Sequence, residues 1–106
     1  MITDARLQEL VKQVFPGVAY VGMAQSICLA AHKANLIGDD EQEILEKIRQ
    51  ISFDHKATTP SDDDEYYMAK SPFDGLYYIF ATQPGAGWPR EPVYIEEQRP
   101  EWFDKD

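Results

Sequence analysis

The sequence predicts an α+β fold: about three N-terminal helices followed by a small antiparallel β-sheet or hairpin. Two observations predict it. Apolar residues recur at helical spacing through residue 51, and the pattern then changes to short aromatic and β-branched runs set between turn residues. A mostly α alternative needs residues 76–82 to be helical. The adjacent Tyr77 and Tyr78, with Ile79 and Phe80, disfavour it.

The first helix begins after Thr3, a suitable N-cap, with Asp4 in its first turn. Leu7, Leu10, Val11 and Val14 share a face, and Pro16-Gly17 stops it. A second helix is predicted from about Ala19 to Leu36. Met23, Ile27, Ala30 and Ala34 form one stripe, its alanines suit close approach of another helix, and Gly38 is a natural terminator. The third helix starts after Asp40, with Glu43 completing an acidic variant of a capping box. Ile44, Leu45, Ile48 and Ile51 form its stripe, and Glu43–Lys47 is an i,i+4 pair of favourable order.

Residues 55–60 read as a connector, and Asp62 to Glu65 as a short helical turn or a loop. Leu76–Thr82 is the best strand and Pro92–Glu96 a second; the hairpin they make must pack on the helices or gain a third strand, near Tyr66–Lys70. Ser71-Pro72 and Asp74-Gly75 signal turns. Between the two main strands lies a Gly/Pro-punctuated loop centred on Trp88. The aromatics Trp102 and Phe103 are placed to tuck back. The 106 residues suit one domain, with 1–53 as helical scaffold and 54–106 as an acidic, aromatic-rich, β-containing part.

Charge narrows the function. The chain carries a net charge of −9, and residues 39–106 hold 17 acids against 7 bases. Eleven of the 13 aromatics also follow residue 50, so acid and aromatic share one region. This balance argues against direct nucleic-acid binding. A single Cys excludes an internal disulfide, and no Cys/His cluster suggests structural zinc. No apolar run is long enough to span a membrane, and Met1-Ile2-Thr3-Asp4 lacks the basic start of a secretory leader. These features point to a cytoplasmic protein with no cofactor and no metal.

Several constellations resemble chemistry without completing it. Cys28 and His32 share a helix face, but Cys28 sits in an apolar run and no neighbouring acid completes a set. Asp54 and His55 are adjacent, so on an extended segment they point apart. The consecutive acids Asp62-Asp63-Asp64-Glu65 lack the alternation and glycine of a calcium loop. Residues 83–90 lack the Lys-Ser/Thr of a phosphate loop.

The expectation is therefore a non-enzymatic, protein-binding inhibitor that occludes a basic, nucleic-acid-binding surface of a partner: a nuclease, a toxin or a nucleic-acid-binding complex. Immunity proteins against nuclease toxins and phage inhibitors of host nucleases, anti-CRISPR proteins among them, work this way. The parallel is one of physical character, for no motif places this chain in such a family. The predicted contact residues are Asp62, Asp63, Asp64 and Glu65 for charge, Tyr67 and Trp88 as aromatic anchors, and Arg90, Glu96 and Glu97 around them. The alternatives are an accessory or regulatory interaction domain, or a homodimer packing through the Ala-rich second helix. A small-ligand binder or enzyme is the third.

Overall fold

The computed structural model describes residues 1–56, 65–82 and 88–104. Helices α1 (Asp4–Val14), α2 (Val18–Lys33) and α3 (Glu41–Arg49) precede strands β1 (Ser52–Lys56), β2 (Glu65–Lys70), β3 (Tyr77–Thr82) and β4 (Tyr94–Glu96), and a 3-10 turn closes the described chain at Glu101–Asp104. The strands lie in chain order, and every neighbouring pair is antiparallel. The α+β prediction holds.

Local chemistry explains the helix limits. The Thr3 hydroxyl accepts from the Arg6 amide at 3.1 Å, and Asp40 accepts from the amides of Gln42 and Glu43 at 3.0 and 3.4 Å. Each satisfies donors that the first helical turn leaves free. The end of α2 departs from expectation. It stops at Lys33, and Asn35 (φ 60°), not Gly38, takes the left-handed conformation. The Leu36 amide donates to Ala31 O at 2.9 Å and the Asn35 amide to His32 O at 3.1 Å. This is the two-bond C-terminal motif that glycine usually supplies, with asparagine in its place.

Helix α2 is apolar on most sides, as suits a central helix. Its Met23, Ala24, Ile27, Cys28 and Ala31 are buried with Leu7, Leu10 and Val11 of α1, with Ile44, Leu45 and Ile48 of α3, and with Tyr67, Ala69, Tyr78 and Phe80 of the sheet. Of the α2 alanines, Ala24 and Ala31 are buried in this chain's own core and Ala30 packs on it partly buried, whereas Ala34 is exposed. The pair Glu43–Lys47 does not form. Lys47 Nζ instead donates to Pro72 O at 3.3 Å, which ties α3 to the β2–β3 turn.

Strand β1 replaces the expected connector at its start. Phe53 pairs with Ala69 and His55 with Tyr67, on the helix side. Asp54 and Lys56 pair with Met68 and Tyr66, on the outer side. The tyrosine doublets split as a pleat requires: Tyr67 and Tyr78 are buried against the helices, whereas Tyr66 and Tyr77 join Met68, Ile79 and Phe103 outside. The terminal turn folds back over that outer face. Phe103 is buried, and Arg99 clamps the turn with two bonds to Asp104 (2.7 and 2.8 Å) and one to Asp54 (2.9 Å).

At the β2–β3 turn Gly75 has φ +74°, a conformation that disfavours any side chain. Asp74 braces it, accepting from the Leu76 amide at 2.9 Å and from the Tyr78 hydroxyl at 2.8 Å. Burial raises the Tyr78 pKa, and the bond to Asp74 and its charge add to the effect.

Two outcomes follow. Phe103→Ala removes the buried ring that packs on Met68 and Ile79 from outside, and a loss of about 3 kcal/mol in chemical denaturation is expected. The second concerns acid. Hydrogen bonds from Arg6 to Glu41 and from Arg99 to Asp104 hold both carboxyls below their ordinary range. A carboxyl depressed in the folded state stabilises fully above its unfolded value, near pH 4, and loses that contribution as pH falls through the lower folded value. The double change Glu41→Gln/Asp104→Asn therefore flattens the loss of urea midpoint between about pH 4 and pH 2.

Candidate protein-binding surface

The candidate surface forms at the end of the sheet where β1 finishes, β2 begins and β3 finishes. Residues of odd number in β1 and β2 face the helices there, so Phe53, His55, Glu65 and Tyr67 share one side. His55 stacks on Tyr67 with centroids 4.6 Å apart, and its Nε2 lies 3.3 Å from Glu65 Oε2. Tyr20 of α2 stacks on Phe53 at 4.6 Å and meets the edge of Tyr67 at 6.0 Å. Trp88 closes the row with its ring 5.7 Å from Tyr67. Burial raises the Tyr67 pKa, and the charge of Glu65 adds to it, so the hydroxyl stays protonated at neutral pH.

Gly22 explains how the Trp88 segment reaches this position. A Cβ built at Gly22 would sit 3.0 Å from Arg90 Cγ and 3.4 Å from Pro89 O. The glycine lets the chain after Trp88 lie directly on α2, which holds the indole against Tyr67. Trp88 is nevertheless 45% exposed and Tyr20 37%. An aromatic fixed on one side and open on the other suits a binding anchor, because little side-chain freedom remains to be lost on contact.

The structure brings together Glu65, Tyr67, Trp88 and Arg90 of the predicted contact residues. Asp62, Asp63 and Asp64 lie outside the described residues; in the sequence they directly precede Glu65. Glu96 and Glu97 sit elsewhere. Glu65 pairs with Thr82 at one end of β3, and Glu96 pairs with Tyr77 at the other, on the far neighbouring strand. Strand geometry puts their backbones about 20 Å apart. Sequence reasoning missed Tyr20, Phe53 and His55. The alternation of Phe53 and His55 with Asp54 and Lys56 was a signal for them, because it marks one aromatic and one charged side of an extended segment.

Other acidic blocks have internal partners. Asp39 accepts from the Ile2 amide at 3.1 Å and lies 3.4 Å from the Met1 ammonium. Asp40 caps α3, and Glu41 accepts two bonds from Arg6 at 2.7 and 2.9 Å. By contrast, Glu91, Glu96, Glu97 and Glu101 are exposed and make no ion pair among the described residues.

The Cys28–His32 constellation gains the acid that the sequence did not place beside it: His32 Nδ1 lies 2.6 Å from Asp4 Oδ1, on α1. Cys28 is fully buried without a hydrogen bond to that histidine, and burial pushes its thiol up to about 12. It is a core side chain, not a nucleophile. Among the described residues, no group of three or more His, Cys, Asp or Glu could hold a metal ion. No helix among them is long and apolar enough to cross a membrane.

Comparison with known proteins finds no matching family model, no matching curated protein and no matching solved structure.

Gly22→Leu tests the docking of the Trp88 segment. In a Trp102→Phe background, where Trp88 is the only reporter, the substitution should shift indole emission to longer wavelength as the ring leaves Tyr67. Far-UV circular dichroism should keep its helical signal. Unchanged emission would show that the segment does not depend on the space at Gly22.

Proposed function

We propose that this chain is a protein-binding inhibitor that covers a basic surface of a partner and so competes with nucleic acid for it. The partner class is a nuclease, a toxin or another nucleic-acid-binding protein. One observation carries the reading: Trp88 is seated on Tyr67 beside Glu65, half-exposed, and Glu65 continues the acidic run that starts at Asp62.

Division of labour follows from the residue types. The acids steer a positively charged partner into place and set the salt dependence of association. Trp88 and Tyr67 then supply the desolvated contact area that holds the complex. Arg90, on the same segment as Trp88, adds a planar donor at the margin. Action is by occlusion and needs no cofactor, no metal and no membrane. The cytoplasm, where such a partner would be met, is the proposed location.

The test is binding of the full chain to a panel of basic nucleases at low and moderate salt, with nucleic acid as competitor. Trp88→Ala should weaken the complex about 30-fold, mostly through faster dissociation. The triple change Asp62→Asn/Asp63→Asn/Asp64→Asn should slow association about tenfold at low salt and much less at high salt. Affinity that ignores salt, or that survives both variants, would overturn the reading.

A further inference from the structure

Strand β4 lies at the edge of the sheet and pairs with β3 alone among the described residues. Its neighbourhood is unusually apolar for an edge. Val93 is 50% exposed, Tyr94 51% and Ile95 51%. Tyr94 and Ile95 point to opposite faces, since they pair with Ile79 on the outer side and Tyr78 on the helix side. Among the described residues neither face is closed over them. The helices bury Tyr78 but leave Ile95 out of the core they form, and the terminal turn brings Trp102 only to the margin of Tyr94, with centroids 6.2 Å apart.

An open edge with consecutive apolar residues is a template for another strand, and soluble proteins commonly blunt such edges with lysine, proline or inward charges. Here the flanks are acidic. Glu91 precedes the strand, and Glu96 and Glu97 end it, all exposed and without an ion pair among the described residues.

Those flanks choose between occupants. A second copy pairing antiparallel about Tyr94 and Ile95 would set Glu96 and Glu97 of each chain beside Glu91 of the other. Like charges across strands destabilise the pairing, and each copy already carries a net charge of −9. A segment with Lys or Arg at those positions meets opposite charge on both sides of an apolar centre.

We propose that the outer edge of β4 accepts an extended basic segment of a partner protein as a fifth strand. Its β-branched or aromatic residues lie opposite Val93, Tyr94 and Ile95, and its Lys or Arg residues lie opposite Glu91, Glu96 and Glu97. Backbone hydrogen bonds hold the added strand. The Tyr94–Trp102 wall and Ile95 read its alternate side chains. The inference takes the basic partner from the function proposed above, but it uses the opposite corner of the sheet from Trp88.

The probe is a short capped peptide, Lys-Arg-Thr-Val-Thr-Val-Arg-Lys, titrated into the isotopically labelled full chain. Amide shifts should concentrate at Val93–Glu97 and on the facing part of β3. The same peptide with its central Val replaced by Pro keeps every charge but cannot continue the ladder, and should bind about tenfold more weakly. Glu96→Lys/Glu97→Lys should weaken binding about tenfold at low salt, and circular dichroism verifies that the variant is folded. Trp88→Ala should leave peptide affinity unchanged. Shifts centred on Glu65, Tyr67 and Trp88, or equal binding of the Pro peptide, would overturn the strand-addition proposal. A free chain that sediments as a dimer through β4 would also overturn it. If the nuclease tests fail while the peptide still binds at β4, the edge stands and the Trp88 reading falls.

Discussion

Strands β2 and β3 carry apolar side chains on both faces, and neither face can be left to water. Tyr67, Ala69, Tyr78 and Phe80 point one way, while Tyr66, Met68, Tyr77 and Ile79 point the other. Three helices can cover only one side of such a sheet. The molecule meets the second demand with the chain beyond β4, which returns across the outer face and buries Phe103 against Met68 and Ile79. Arg99 secures that return by joining Asp104 of the turn to Asp54 of β1, at the opposite edge of the sheet. The helical layer and the single terminal turn are unequal covers. Among the described residues, half-exposed apolar side chains lie at the margins, in the aromatic row of the β1–β2 corner and at the β4 edge.

The same imbalance organises the charge. The excess of acid falls in blocks along the second part of the chain, and among the described residues folding gives those blocks different roles. One population works inside the molecule: Asp39 holds the N-terminus, Asp40 caps α3, Glu41 meets Arg6, and Asp54 and Asp104 share Arg99. Each of these groups has a donor whose position the fold fixes. The other population, Glu91, Glu96, Glu97 and Glu101, stands on the margins without an ion pair among the described residues. Exposed acids beside exposed apolar side chains make a surface that solvates well alone and still has area to bury with a cationic partner.

Legibility in the sequence tracked how local each determinant was. The three helices were readable because caps and stripes lie within a few residues of each other: Thr3 and Asp40 cap as their positions imply, and Ile44, Leu45 and Ile48 are buried. β3 announced itself through a dense aromatic run. β1 did not, since Ser52–Lys56 is short and polar and becomes a strand only because Tyr66, Tyr67 and Met68 lie alongside it. The α2 terminus was misplaced for a related reason. Asparagine ranks behind glycine as a left-handed terminator, and the bonds to Ala31 and His32 made Asn35 sufficient. Of the contact residues, Glu65, Tyr67 and Trp88 were readable as types, while their assembly was not. It needs Gly22, 31 residues before Phe53, the nearest aromatic of the sheet in sequence, to admit the Pro89–Arg90 segment onto α2.

Interface size bears on whether the two margins act together. A stable protein–protein contact covers about 800 Å² on each partner. That is roughly an eighth of the 6667 Å² that this chain exposes. The Trp88 row alone, a few partly buried rings, falls short of such an area. A patch of that size is about 30 Å across, whereas the corner at Glu65 and the edge at Glu96 are about 20 Å apart. One partner is therefore wide enough to reach both. It must do so around the sheet's rim, because Tyr67 and Trp88 lie on the helix side whereas Tyr94 and Glu96 point outward. A body with a flexible basic arm satisfies that geometry: the body seats on Trp88, and the arm runs along β4. The two contacts then raise each other's effective concentration, and weak strand addition by an isolated segment is compatible with tight binding of the whole.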